Sequence, residues 1–366
     1  NAFTQMGIDI VGMKKHEFLI GCTLFLWFIF LISRQRMHTS SPQAGSLSKQ
    51  NPLRNQSLVC LTPELDGSWV WDPNKTFADP RCCDGDDKVY KRNPSYCGHE
   101  KPGNDFIGRT DILAYMRGRG CRCSLKDQYT WKSKALQEPW NPHEFCQLLG
   151  NRKLLLVGDS TMSQSATTLM NAVFPAGCQT QMVYTMSDTL IQENFGAFNR
   201  GEYWTNHIAR HSPDIVVFST GPHIYGDSNL HRVTTSFIKD IEILRKISNI
   251  TFVWKTQQAA GCTMNMSQSH PFLAAQELPS KSTLMYNHAD YFQRDSLMIS
   301  ILQEHEIPFL DLRMLYSRSE AHVDPNKDCL HFCSPGPLDI FPNLVFRLFK
   351  TNFAVPRCTY LSVNDI

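Results

Sequence analysis

Net charge is nearly absent from this chain. Its 36 Lys and Arg stand against 34 Asp and Glu, a formal balance of +2 over 366 residues. That raises no field strong enough to gather nucleic-acid phosphates, so nucleic acid is set aside as a partner. Also missing is any C-x2-C half of the kind from which structural zinc sites are built. The cluster Cys329, His331 and Cys333 has no complementary half, and no metal is expected. One apolar run near the N-terminus stands alone before a polar linker, and no small-x-small cleavage site follows it, which favours a retained anchor over a removed signal.

That run, Phe18 to Ser33, reads FLIGCTLFLWFIFLIS, flanked by Lys14 and Lys15 before it and Arg34 and Arg36 after it. It falls just below the roughly 17 apolar residues that mark the low end for a bilayer span, and so suits a thin membrane of the early secretory pathway. The flanking basic residues balance and leave orientation undecided. The cysteines decide it. Twelve of the thirteen follow the run, at Cys60, Cys82, Cys83, Cys97, Cys121, Cys123, Cys146, Cys178, Cys262, Cys329, Cys333 and Cys358. That density fits disulfides in an oxidising lumen. The expected organisation is a cytosolic tail (1–17), a transmembrane signal anchor (18–33), a flexible Ser-, Gln-, Asn- and Pro-rich stem (34–58) and a Cys-rich subdomain (59–150). A catalytic α/β domain (151–354) and a C-terminal tail (355–366) complete it. Sequons at Asn55, Asn74, Asn249 and Asn265 are compatible with a luminal address.

The strongest local signal is RKLLLVGDSTMSQ, from Arg152 to Gln164. A continuous apolar run ended by Gly reads as a strand buried on both faces, turning sharply into a helix. Ser160 then sits at the carboxyl end of the strand and the amino end of the helix, where open α/β sheets bind ligands and where helix N–H groups favour developing negative charge. A serine hydroxyl needs a base, and the base needs an orienting group. Both are offered by Asp328-Cys329-Leu330-His331-Phe332-Cys333, expected in a turn or at a helix start, with Cys329 and Cys333 placed to staple it. His322 and Asp324 are the local alternatives.

Further short apolar runs, at Met182 to Thr185, Ile215 to Phe218, Phe252 to Trp254 and Phe309 to Leu312, read as strands. Val233 to Ile247 and Tyr286 to His305 read as helices. Strand and helix alternate, which predicts a three-layer α/β/α sandwich on a parallel sheet. The strand ends place Ser219, Gly221, His223 and Lys255 on the rim of Ser160 as oxyanion or cleft candidates. Trp69, Trp71, Trp131 and Trp140 are expected to pack the Cys-rich region rather than to meet a ligand.

These motifs, in this order, resemble the SGNH/GDSL hydrolase clan. More closely they resemble the PC-esterase family with its trichome birefringence-like polysaccharide O-acetyltransferases, over Cys60 to about Leu348. The matching residues are Asp66-Gly67-Ser68-Trp69-Val70, Trp140-x-Pro142 leading to Phe145-Cys146, the strand and turn from Lys153 to Ser160, and Asp328 to Cys333 with Pro335-Gly336-x-x-Asp339. Plant members carry Asn-Thr-Gly-His-Trp where Ser219-Thr220-Gly221-Pro222-His223 stands, and an arginine at the place of Lys255. The resemblance implies Ser160 as nucleophile, His331 as base and Asp328 as its partner, in a single-pass Golgi membrane enzyme with a luminal catalytic domain. It implies no permanently bound cofactor, an acyl donor such as acetyl-CoA or another acetyl carrier, and a polysaccharide or glycan acceptor. An O-acetyltransferase is the leading expectation, a carbohydrate acetylesterase with the same triad the second, and a catalytically silent glycan-binding protein the third.

Overall fold

The computed structural model describes residues 58–73, 75, 129–191, 201–258, 291–318, 321–324, 328–332 and 336–362. The expected tail, anchor and nearly all of the stem lie outside them. So do Cys82, Cys83, Cys97, Cys121, Cys123, Cys262 and Cys333, and the sequons at Asn55, Asn74 and Asn265. Asn249 is exposed. Among the described residues no helix is long and apolar enough to cross a membrane.

In chain order the elements begin with β1 (Leu58–Leu61), β2 (Gly67–Trp71), β3 (Tyr129–Ser133), α1 (Pro142–Leu149), β4 (Leu154–Gly158) and α2 (Ser160–Val173). Then come β5 (Met182–Met186), α3 (Trp204–His211), β6 (Ile215–Ser219), α4 (Asp227–Ile247), β7 (Thr251–Lys255) and α5 (Tyr291–Glu304). The chain continues through β8 (Phe309–Leu310), β9 (His322–Asp324), β10 (Asp328–Phe332), α6 (Ile340–Lys350) and β11 (Thr359–Ser362). Five of the strands form a sheet in the order β5-β4-β6-β7-β8, and each neighbouring pair is parallel. The run at Phe309 to Leu312 is strand only over its first two residues.

The sheet is covered on both faces because its strands alternate between two cores. Leu154 and Leu156 of β4, with Ile215 and Val217 of β6, pack among Phe145 of α1, Met162 and Leu169 of α2 and Phe341 and Val345 of α6. Leu155 and Val157, with Val216 and Phe218, pack among Trp204 of α3, Val233 and Phe237 of α4 and Met298 and Leu302 of α5. Burial on both sides is why these strands read as unbroken apolar runs. Helix α1 starts where Asn141 accepts from the N–H groups of His143 and Glu144, both at 3.1 Å, with Pro142 at the first helical position.

Residues near both ends of the described chain close the unit. β1 pairs antiparallel with β11, so part of the expected C-terminal tail is a strand, and Cys60 bonds to Cys358. A second disulfide, Cys146–Cys178, ties α1 to the segment after α2. In the small β2–β3 ladder Trp69 and Trp131 are buried; their indole N–H groups donate to the carbonyls of Met314 (3.0 Å) and Glu64 (2.8 Å). Trp140 donates to the Ala172 carbonyl at 3.3 Å, but Trp71 departs from the packing expectation and is exposed.

The two disulfides close loops of very different length, 298 and 32 residues. Replacing Cys60 and Cys358 by Ala is expected to lower unfolding stability by about 5–6 kcal/mol, against about 3.5–4 kcal/mol for Cys146 and Cys178, as loop-closure entropy dictates. Urea midpoints of the two double variants check the order.

Candidate active site

Ser160 stands where β4 becomes α2, and the turn between them is fixed from several sides. Gly158 is required there by close approach: a Cβ would lie 2.5 Å from the Ser219 carbonyl and 2.8 Å from Met162 Cβ. Asp159, fully buried, caps the helix by accepting from the Thr161 N–H (2.8 Å) and hydroxyl (2.7 Å). From β5, the Tyr184 hydroxyl donates to the carbonyls of Gly158 (3.1 Å) and Asp159 (3.0 Å), and the Ser187 N–H donates to the Gly158 carbonyl at 3.0 Å. Ser160 opens the helix, so its N–H is one of the four that no helical carbonyl can accept from.

His331 arrives from the other end of the domain. Its Nε2 lies 2.8 Å from Ser160 Oγ, across 171 residues of sequence. The segment that carries it is a strand, not the turn or helix start that the sequence suggests. Leu330 and Phe332 bury in the core shared with Met162 and Ala166 of α2. Strand alternation therefore turns His331, between them, away from that core. β10 pairs antiparallel with β9, Asp328 opposite Asp324 and Phe332 opposite His322, so five residues face three and the register is irregular between the two pairs. In a regular strand residues three apart point to opposite faces; here the irregularity falls somewhere between Asp328 and Phe332. The side chains of Asp328, Asp324 and Cys329 lie outside the described residues. His322, the alternative base, stacks on the Phe332 ring at 4.4 Å.

Two buried amides hold β10 against α2. Gln164, one turn after Ser160, donates from Nε2 to the Phe332 carbonyl (2.8 Å) and accepts at Oε1 from the Phe332 N–H (3.2 Å). Gln258, just beyond β7, donates to Gln164 Oε1 (2.9 Å) and to the Leu330 carbonyl (3.0 Å). The backbone on either side of His331 is thus pinned to the helix that carries Ser160. Gln164 is visible in the sequence as part of the turn motif. Gln258 is not singled out there, although its place directly after an apolar strand run, on the rim where ligands bind, is a signal.

Beneath the rim lies a set of buried charges. Lys255 ends β7 fully buried, its Nζ 3.3 Å from the Thr256 carbonyl, so it lies under the rim rather than in a cleft. Burial lowers its pKa to about 8, against the attraction of Asp159 and Asp295. Burial likewise raises Asp295 of α5 to about 7, although it accepts from the Gln257 N–H at 3.0 Å and lies near Arg313. Arg313 forms a buried pair with Asp311 at 2.7 Å; Thr62 donates to Asp311 and Arg313 donates to the Cys60 carbonyl. None of Asp295, Asp311 and Arg313 stands out in the sequence, where each reads as an ordinary surface charge.

The remaining rim candidates divide. Ser219, the last residue of β6, is fully buried and pairs with Gly158 in the sheet. Gly221 follows it with φ 157°. His223 is buried, its Nε2 3.7 Å from Asp188 Oδ1, and Thr220 donates to the Asp188 carbonyl at 2.7 Å. Among the described residues no three His, Cys, Asp or Glu side chains gather as a metal site. The arrangement has the parts for nucleophilic chemistry: a hydroxyl at a helix start, an imidazole in contact with it, and a rim of polar groups.

No protein-family model and no curated protein sequence matches the chain. Among solved structures it is similar to an acetyl xylan esterase, at 13% identity over 54% of this chain and 98% of that one, with a TM-score of 0.34. A mutant acetyl-xylooligosaccharide esterase from Geobacillus Stearmophilus gives 13% identity, 55% and 94% coverage and a TM-score of 0.31. The periplasmic domain of a lipopolysaccharide acetyltransferase from Salmonella ser. Paratyphi A gives 11% identity, 74% and 98% coverage and a TM-score of 0.36. At such scores the likenesses carry no functional argument.

Two outcomes are expected. Gln164→Met strips Phe332 of both side-chain partners and should lower stability by about 2–3 kcal/mol, and slow phosphonylation of Ser160 by a fluorophosphonate probe roughly 100-fold. Gln258→Met, which keeps the Gln164–Phe332 pair, should slow it about tenfold. Equal reactivity of all three proteins would show that the amides do not place His331.

Asp295 supplies the second. Below its unperturbed value of 3.8 the carboxyl is protonated in folded and unfolded chains alike. As pH rises from there to about 7 the unfolded chain releases the proton and the folded chain keeps it, so stability falls through that window and the deficit is complete above it. Asp295→Asn, which keeps an acceptor for the Gln257 N–H, should flatten this part of the stability profile, measured by urea unfolding at a series of pH values.

Proposed function

We propose that the chain is a serine O-acyltransferase that places an acetyl group on hydroxyls of a polysaccharide or glycoprotein glycan. Ser160 is the nucleophile, His331 the base, and Asp328 the group that orients the imidazole. The observation that carries this reading is the 2.8 Å contact between Ser160 Oγ and His331 Nε2 at the carboxyl edge of a parallel sheet. The choice of acetyl group and glycan rests on the sequence resemblance.

In the first half-reaction His331 takes the Ser160 proton as Oγ attacks the carbonyl carbon of the acetyl donor, and returns it to the departing group. In the second, a sugar hydroxyl gives its proton to His331 and attacks the acetyl-serine; Ser160 regains the proton as the new ester leaves. Water in place of the sugar gives hydrolysis. Ser160 is only 6% exposed, which favours a bound acceptor over bulk water. The disulfides Cys60–Cys358 and Cys146–Cys178 fit an oxidising compartment, so the proposal includes a Golgi-luminal domain tethered by residues 18–33.

Incubation of the purified chain with labelled acetyl donor and glycan should put label on Ser160 and then on the glycan. Ser160→Ala and His331→Ala should each lower transfer by roughly 10³-fold or more. Label appearing only as free acetate would replace transferase by esterase, and turnover unchanged in Ser160→Ala would sink both.

A further inference from the structure

Three positions follow strand ends that are in register at the rim. Gly158 pairs with Ser219, and Ser160 and Gly221 each lie two residues beyond that pair. Phe218 pairs with Trp254, and Gly221 and Gln257 each lie three residues beyond that one. Adjacent strands lie about 4.8 Å apart, which leaves Gln257 two strands from the nucleophile. Its side chain spans part of that gap. A Cβ on Gly221 would lie 2.2 Å from both Cδ and Oε1 of Gln257 and 2.6 Å from Nε2. The carboxamide is therefore laid against Gly221, two residues past the end of the strand next to β4, and the glycine leaves room for it.

The backbone of Gln257 is anchored by its N–H to Asp295, but its side-chain Oε1 is buried with no hydrogen-bond partner among the described residues, and the residue is 3% exposed. Its neighbour Gln258 shares an unpaired Oε1, but its Nε2 is spent on Gln164 and Leu330, which fixes that carboxamide in place. A buried acceptor left unpaired is a standing cost to the fold, and a ligand that pairs it removes that cost. The chemistry of that ligand is restricted. A carbonyl or oxyanion only accepts, and would leave Oε1 as it is. A carboxylate or phosphate calls for a cation, and Lys255, the nearby one, is sealed beneath the rim. A hydroxyl both donates and accepts, and matches a neutral carboxamide at either end.

We propose that the Gln257 carboxamide binds a free hydroxyl of the sugar that bears, or receives, the acyl group at Ser160. The inference rests on the proposed acyl chemistry of Ser160 and adds the group that recognises the polyol. Gln257 is thereby a specificity residue, set two strands from the nucleophile at which the ester is made or broken.

The test compares two esters with wild-type chain and Gln257→Met, a variant of similar length that cannot hydrogen-bond. One ester is a methyl hexopyranoside carrying a single O-acetyl group and free hydroxyls, and the other is 4-nitrophenyl acetate, which has none. The ratio of kcat/KM for the sugar ester to that for the aryl ester should fall about tenfold, the size of one lost hydrogen bond. Gly221→Ala, which displaces the carboxamide, should lower the same ratio. A ratio unchanged in Gln257→Met, with both esters slowed equally or neither slowed, overturns the proposal. Binding of the mono-acetyl sugar to Ser160→Ala and to Ser160→Ala/Gln257→Met, followed calorimetrically, separates the two levels. Tenfold weaker binding in the double variant upholds the role of Gln257 even where turnover does not depend on Ser160, and equal binding refutes it.

Discussion

The contact between Ser160 and His331 has to be made by the whole domain, because the two residues are 171 positions apart and a neutral hydrogen bond contributes only about 1 kcal/mol. It cannot hold its own partners in place. One partner is fixed by the sheet. β4 is buried at every position, Tyr184 grips the carbonyls that precede the nucleophile, and Asp159 closes the first turn of α2. The other partner rides on a short, irregular hairpin whose regular pairing is too limited to place an imidazole to a few tenths of an ångström. The missing precision comes from Gln164 and Gln258, whose four hydrogen bonds tie the Leu330 and Phe332 backbone to each other and to α2.

Below this contact the structure concentrates groups that would be costly elsewhere. Lys255 and Asp295 are both fully buried, and burial moves their pKa values toward each other, the lysine down to about 8 and the carboxyl up to about 7. Among the described residues neither makes a close ion pair such as Asp311 makes with Arg313. The Asp311–Arg313 pair reaches through Thr62 and the Cys60 carbonyl to β1, and β1 is bonded to Cys358 and paired with β11. The two ends of the described chain are thus joined to the floor of the site. A fold that buries charge under its reactive edge needs that closure, since any loosening admits water to groups held out of it.

How much of this could be read in the sequence follows from what a sequence pattern records. The sheet was legible because strands buried on both faces leave unbroken apolar runs, and β4 to β7 lie where those runs predict, with β8 shorter than its run. Ser160 and His331 were legible because their chemistry needs particular residue types. The secondary structure of the Asp328–His331 segment was not, since Asp-x-x-His spacing suits a helical turn, and only the irregular register of β10 against β9 reveals a strand. Gln258 and Asp295 escaped because a lone polar residue carries no periodic signal. Their burial is decided by elements distant in the chain: the Leu330 carbonyl for one, the Gln257 N–H for the other. The β1–β11 pairing escaped for the same reason, as two four-residue strands nearly 300 residues apart share no local pattern.

The division of labour between amides and charges has its own logic. A charge fixed beside an imidazole shifts its protonation equilibrium, and in the proposed triad Asp328 is the residue that supplies one. Gln164 and Gln258 are neutral and bond to backbone, not to the ring, so they fix position without adding such a field. The ionisable groups Asp159, Lys255, Asp311 and Arg313 are instead all buried around the strand ends. On the proposed chemistry, neutral side chains also suit a neutral acceptor: the segments that follow β6 and β7 place a glycine and a carboxamide against each other, and both belong to residues that take no part in the Ser160–His331 contact itself.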